Sequence, residues 1–377
     1  MKRVSYVFPT SHRFRIPFHE ALRTKLAAKG VEYRVIYSPP SKANILKNDV
    51  ADIPWGRCVP ITKAFGSRLQ WQQALVHTAK DDLVIVQQES SLALNYVFQI
   101  CRQAKIPSPK IAFFGHGRNF QARKPDSLAE RWKRFWATKV DWWFAYTDET
   151  RRHIESLGFP PERITVFNNA VDSSQVRADY ASIMPERLAE RREELGLKGD
   201  NICIFVGGIY ADKRIAFLVQ AARAIRAQVP GFELVVAGGG PESPLLAELT
   251  RDLSWIKVVG PRFGADKVEL MALARLFLMP GLVGLAVVDA GAANLPTVTT
   301  AFPWHSPEIA YIEDSKSGVI VPDWEDAQAY ADAVVALLRD PVRLSAMRAE
   351  ASRMAESLTI EAMAERFAEG VLKALAA

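Results

Sequence analysis

Apolar residues fall along the chain in short runs separated by longer amphipathic stretches. In the first half, residues 4–8, 33–37, 83–87, 111–115, 141–146 and 164–167 read as strands. Residues 18–29 place Phe18, Leu22 and Leu26 at helical spacing and stop at Gly30, and 92–103 is a second helical stretch. The pattern restarts with strands at 202–207, 234–237, 255–259, 276–279, 297–300 and 319–321. Helices are expected at 215–228, 267–274, 285–291 and 326–338. Alternation of this kind predicts an α/β chain with a doubly wound parallel sheet in each half. Two Rossmann-like domains facing across a cleft are expected, with ligands at the C-terminal ends of the strands. Residues 173–200 are highly charged and poor in β-branched side chains, and read as a surface helix plus linker. The expected domains are therefore 1–180 and 181–357, followed by an amphipathic segment at 358–375.

Composition narrows the class. The 377 residues are 49% hydrophobic and 24% charged, which suits a soluble globular protein and not a disordered tail or a channel. No window holds the ~18 consecutive apolar residues of a membrane span. Cys58, Cys101 and Cys203 are too scattered for a disulfide framework or a zinc site, which fits a reducing compartment. The N-terminus opens on charge without the apolar core of a signal peptide. The net charge of +6 hides an asymmetry: residues 1–180 carry 28 Lys and Arg against 16 Asp and Glu, and the remainder carries 20 against 26. An anionic partner is expected for the basic half. The basic residues follow no nucleic-acid reader motif, so nucleic acid is not expected.

Four glycine-bearing turns follow strands in the second half: Gly207-Gly208, Gly238-Gly239-Gly240, Gly260-Pro261 and Pro280-Gly281 through Gly284. Such turns let backbone N–H groups approach a phosphate, although loops after strands use glycine for other reasons too. Lys213 and Arg214 stand near the start of the following helix, where cations favour a diphosphate. In the first half His116 follows a strand in FFGHGR, and His12 and Arg13 follow the first strand. His19, His77 and His153 fall in helical stretches and read as structural or solvated. Trp132, Phe135, Trp136 and Val140 share one helical face within 127–140, with Arg131, Lys133, Arg134 and Lys139 around it. That stripe is expected to face the core, the alternative being an interfacial helix on anionic lipid.

The segments FVGGIYADKR (205–214), ELVVAGGGPE (233–242), IKVVGP (256–261), MPGLVGLAVVDAGAANLPTVTT (279–300), HSPEI (305–309), FNNAVD (167–172) and SGVIVPD (317–323) occur in an order that resembles glycosyltransferase family 4. These are the retaining group 1 glycosyltransferases with the GT-B fold. The resemblance covers residues 110–375 and is weakest before 110. It implies transfer of a sugar from a nucleotide-diphosphate donor, UDP or GDP, to a saccharide or lipid-linked acceptor, as in cell-surface polysaccharide synthesis. No metal or other cofactor is expected, because cations can take a metal's place; Asp81-Asp82 does not form a DxD motif.

By the same resemblance, Lys213 fills the phosphate-binding Lys position, Gly208 stands at the Arg position, and Arg214 supplies a second cation. Of the family's Glu-x7-Glu pair, the second position is Asp289, expected at the ribose hydroxyls, and the first is Gly281, which has no side chain. Gly207, Gly239 and the amides of Gly284, Leu285 and Ala286 would border the diphosphate, and Gly260 and Arg262 the base. His305 and Glu308 would shape the donor-sugar pocket, and His116 would face the donor sugar. The catalytic set is then His116, Lys213 and Arg214, with His12 and Arg13 on the acceptor side. The location implied is cytoplasmic, possible contact being with the anionic inner face of the plasma membrane. A sugar-nucleotide 2-epimerase or a non-catalytic GT-B glycan-binding protein are the rival readings.

Overall fold

The computed structural model describes residues 1–41, 50–66, 68–118 and 128–377. The chain divides into two compact units, Met1–Asn169 with Ile360–Ala377, and Ala170–Thr359. In the first, a seven-stranded parallel sheet has the order β3-β2-β1-β6-β7-β8-β9. Its strands are β1 (Lys2–Thr10), β2 (Val31–Ser38), β3 (Arg57–Cys58), β6 (Leu83–Gln87), β7 (Lys110–Gly115), β8 (Trp142–Ala145) and β9 (Ile164–Val166). A separate antiparallel hairpin joins β4 (Ile61–Ala64) to β5 (Leu69–Gln72). Leu83, Val84, Ile85 and Val86 are all buried, as a central parallel strand covered on both faces requires. The unit's helices are α1 (Ile16–Ala27), α2 (Ala93–Gln103), α3 (Leu128–Ala137) and α4 (Asp148–Ser156).

The second unit holds a six-stranded parallel sheet of order β12-β11-β10-β13-β14-β15. These strands are β10 (Asn201–Val206), β11 (Phe232–Ala237), β12 (Ile256–Val258), β13 (Leu276–Leu278), β14 (Thr297–Thr300) and β15 (Gly318–Val321). Its helices are α5 (Ser173–Ser182), α6 (Pro185–Glu194), α7 (Ile215–Gln228), α8 (Ser243–Thr250), α9 (Gly264–Ala272), α10 (Ala286–Ala292), α11 (Ala327–Arg339) and α12 (Pro341–Glu356). In both sheets the chain winds outward one way and then restarts on the other side of its first strand. The switch points therefore lie between β1 and β6 and between β10 and β13, where open α/β sheets bind ligands.

The last helix, α13 (Ile360–Ala376), belongs to the first unit. Its Phe367 is fully buried, stacks on Phe144 with centroids 4.0 Å apart, and meets Phe18 and Phe167 edge-on at 5.3 and 5.2 Å.

The charged stretch after residue 172 is not a linker. It forms α5 and α6 inside the second unit, so the boundary falls after Asn169 and not at 180. Asp172 caps α5 by accepting from the Gln175 N–H at 3.1 Å. Arg187 and Arg191 of α6 pair with Glu269 and Asp266 of α9. The charges thus fasten two helices to each other across the unit's surface. No described helix is long and apolar enough to cross a membrane.

Candidate functional site

At the second unit's switch point, the loops after β10 and β13 are clasped through their main chains. The first makes a 3-10 turn at Ala211–Lys213. The Leu282 N–H donates to the Asp212 carbonyl at 2.8 Å, and Lys213 Nζ donates to the Leu282 carbonyl. A Cβ on Gly281 would lie 2.2 Å from the Asp212 carbonyl oxygen and 2.8 Å from the Lys213 carbonyl carbon. The position that resemblance gives to a carboxylate is therefore filled by neighbouring backbone, and only glycine fits it. Lys213 is 5% exposed. Burial lowers its pKa to about 8, against the raising influence of Glu308 and Asp212. Glu308 is itself buried, on the 3-10 turn Pro307–Tyr311.

Arg214 is held against aromatic rings of its own unit. Its backbone is left-handed (φ +56°), and its guanidinium stacks 4.0 Å from the Phe217 ring centroid and 4.8 Å from that of Trp324. Its Nη1 donates to the carbonyls of Trp324 and Pro280, so aromatic faces and main-chain oxygens occupy one arm of the guanidinium. At the departed Arg position, Gly208 lies under the Tyr210 ring, whose centroid is 5.7 Å from Lys213 Nζ.

Most of the glycine turns serve packing. The Gly207 N–H donates to Ala237 O at 3.0 Å, Gly238 N–H to Gly260 O at 2.9 Å, and Gly240 N–H to Ser243 Oγ at 3.0 Å. A Cβ on Gly238 would sit 1.9 Å from Gly207 O, so glycine there lets two loops touch. Gly239 accepts from the Ile209 N–H at 3.0 Å. The N–H groups of Gly207, Gly238 and Gly240 are thus spent on neighbouring loops. The N–H groups of Gly284 and Leu285 differ: neither has an acceptor among the described residues, and both lead into Ala286 at the start of α10.

His305 braces two main-chain segments. Its Nδ1 accepts from the Val283 N–H at 2.9 Å and its Nε2 pairs with the Thr300 carbonyl at 2.8 Å. Both nitrogens hold main chain, which fixes the proton on Nε2. Burial and the Lys213 charge lower its pKa to about 4, although the Thr300 bond opposes this. Asp289 on α10 pairs with Lys267 on α9 at 2.7 Å. Arg262 is exposed in the loop after β12, where Gly260 also lies, and meets Asp266 at 3.4 Å.

In the first unit, His116 follows β7 and packs edge-on against Tyr146, centroids 4.4 Å apart. Burial, with the charges of Lys133 and Arg15, lowers its pKa to about 3, so it is neutral at pH 7. His12 stacks against Phe14 at 5.6 Å, and Arg13 is exposed. Arg15 and Lys133 were not among the expected site residues. Arg15, from the same loop as Arg13, donates to Asn169 Oδ1. Lys133 comes from α3 and lines a small cavity with Gln88, Glu89, Asn95 and Tyr96, at the end of β6. His153, expected to be structural or solvated, is partly buried, and burial with the charges of Arg118, Lys133 and Arg134 lowers its pKa to about 4.

The aromatic stripe divides. Trp136 packs on Tyr96 at 5.4 Å and Val140 is in the core, but Trp132 and Phe135 are 50% and 58% exposed. The expectation of a wholly core-facing stripe fails because Trp132, although bonded to the Tyr96 hydroxyl at 2.9 Å, and Phe135 keep about half of their surface in solvent; Ser127, at the start of that segment, lies outside the described residues.

Residues 20–175 match the family described as Glycosyltransferase Family 4, and residues 200–340 match Glycosyl transferases group 1. The chain belongs to the family 4, group 1 glycosyltransferases. A D-inositol 3-phosphate glycosyltransferase of Thermobispora bispora is 31% identical over 243 residues, 60% of this chain and 54% of that protein. A GDP-mannose-dependent alpha-(1-6)-phosphatidylinositol monomannoside mannosyltransferase of Mycobacterium tuberculosis is 30% identical over 213 residues, 53% of each. The chain spans about half the length of the curated relatives it matches. Among solved structures, Anabaena Alr3699/HepE in complex with UDP superposes with a TM-score of 0.72 at 15% identity, covering 99% of this chain and 100% of that one. The likeness shows the fold, which is the GT-B arrangement of two parallel α/β units. Within the family, this member departs at Gly208 and Gly281, and at Gly281 the facing backbone fills the space.

Proposed function

We propose that this chain is a retaining glycosyltransferase that moves a sugar from a nucleoside diphosphate to an anionic saccharide or lipid-linked acceptor. The observation that carries the reading is the clasp at the β10/β13 switch point, which sets a buried Lys213 beside two amides without acceptors, Gly284 and Leu285. The donor diphosphate lies against those groups, its ribose at Asp289 and its base near Gly260 and Arg262. In the transfer, the bond from the anomeric carbon to the phosphate oxygen breaks. The acceptor oxygen bonds to that carbon on the same face, and the acceptor proton passes to the departing phosphate. Lys213 and the amides stabilise the charge that develops there, so no metal is required for that task. His116, neutral at pH 7, hydrogen-bonds a sugar hydroxyl and does not act as a general acid.

Support for an anionic acceptor comes from the basic first half and from Arg15 and Lys133, whose charges reach His116. Exposed Trp132 and Phe135 beside Arg131, Arg134 and Lys139 support peripheral contact with an anionic cytoplasmic membrane face, as cell-surface polysaccharide synthesis on a lipid carrier would need. The test is a thermal-shift screen with UDP, GDP, ADP and dTDP, followed by their sugars. At least one diphosphate raises the melting temperature. If none does, the reading fails; release of free monosaccharide without transfer points instead to a 2-epimerase.

A further inference from the structure

Asp289 is one methylene shorter than the glutamate its family places there, and it is not alone. Lys267 Nζ lies 2.7 Å from Asp289 Oδ2, with side chains 18% and 19% exposed. On α9 the neighbouring acids turn elsewhere: Asp266 pairs with Arg191 and Arg262, and Glu269 with Arg187. Lys267 instead reaches across to α10. Asp289 stands four residues after Leu285, one helical turn or about 6 Å along from the acceptor-free amides. That is the span from a diphosphate to the hydroxyls of the attached ribose.

We infer that Lys267 and Asp289 form a mixed clamp for a vicinal diol, which rests on the donor reading above. A carboxylate only accepts, and a longer one reaches both hydroxyls with its two oxygens. Here Oδ2 is engaged by the ammonium, leaving Oδ1 to accept from one hydroxyl. The ammonium has three donors, and one is used by Asp289. A second donates to the oxygen of the adjacent hydroxyl. Lys267 also cancels the Asp289 charge, which unpaired would repel a diphosphate a turn away. Lys267 is thus a specificity-determining residue for ribose over deoxyribose.

The test measures dissociation constants of UDP and GDP, each with its 2′-deoxy and 3′-deoxy forms, for the wild type and Lys267→Met. The wild type loses about tenfold for each missing hydroxyl, as a charge-assisted hydrogen bond implies. Lys267→Met binds the ribonucleotide about tenfold more weakly and becomes indifferent to the loss of one hydroxyl while still sensing the other. The double variant Lys267→Met with Asp289→Leu has neither donor nor acceptor, keeps the pair neutral should the single variant be unstable, and is indifferent to both. If Lys267→Met keeps wild-type ratios for both deoxy forms while the wild type binds nucleotide, Lys267 only neutralises Asp289 and the clamp is refuted. If the wild type binds no nucleotide, both this inference and the donor reading fall.

Discussion

The two switch points are built from different material. Between β10 and β13, main chain meets main chain: Gly281 admits the Asp212 carbonyl, Leu282 bonds to it, and Lys213 is tied to Leu282. Around β1 and β6, long side chains converge instead, with Arg15 and Lys133 acting on His116 and aromatic rings about them. A diphosphate is the same in every nucleotide, so a rigid backbone cradle suits it. Acceptors vary, and a site of side chains can be altered one residue at a time.

The largest effect expected from breaking this contrast is on the first unit's packing. Phe367→Ala removes a fully buried ring from among Phe18, Phe144 and Phe167 and should cost about 3–5 kcal/mol in chemical denaturation. A loss below 1 kcal/mol would show that α13 is not part of that core. Lys213→Ala should lower donor turnover by roughly 10²–10³-fold, the scale for one charge-stabilising group, while leaving the fold intact. Near wild-type turnover removes Lys213 from the site.

Next, Gly281→Ala should destabilise the second unit by about 1–3 kcal/mol, because its Cβ meets backbone and not a movable side chain. Gly281→Glu, which rebuilds the family's carboxylate, should therefore reduce transfer; a gain would show that the clasp yields. A smaller effect follows from the Lys213 pKa of about 8. Diphosphate binding needs the charged form, so affinity should hold from pH 6.5 to 7.5 and weaken up to about tenfold per unit above pH 8. Isothermal titration reads this, and Lys213→Ala should flatten the profile. Smallest in stability are Trp132→Ala and Phe135→Ala, within about 0.5 kcal/mol each because both rings are half exposed. Their effect should appear as weaker binding to vesicles rich in anionic lipid; unchanged partitioning sinks the membrane-contact reading.

Much of the fold was legible because parallel strands buried on both faces write continuous apolar runs. Residues 83–87, 215–228 and 297–300 fall where the pattern places them. The hairpin β4–β5 was missed because Ile61–Ala64 is mostly exposed and shows no buried alternation. Of the stretch read as a surface helix plus linker, the helix was right and the linker was not, because charge hides a helix such as α6 whose partners are ions on another element. At the site, Lys213, Asp289 and Gly281 were visible as motif positions. What each does was not, since it depends on pairs far apart in the chain: Lys213 with Leu282, Asp289 with Lys267, Arg214 with Trp324, His305 with Val283. Tyr210 could have been suspected from its place two residues beyond the missing Arg. Nothing in spacing announces Lys267.

The return of α13 to the first unit has a consequence for biosynthesis. Residues 170–359, the whole of the second unit, are synthesised before Phe367. The unit that begins first must wait, with Phe18, Phe144 and Phe167 uncovered, until the final helix emerges to close over them. The first unit is thus begun first yet receives its last helix only after the second unit's sequence, and it is that unfinished unit that a chaperone would meet.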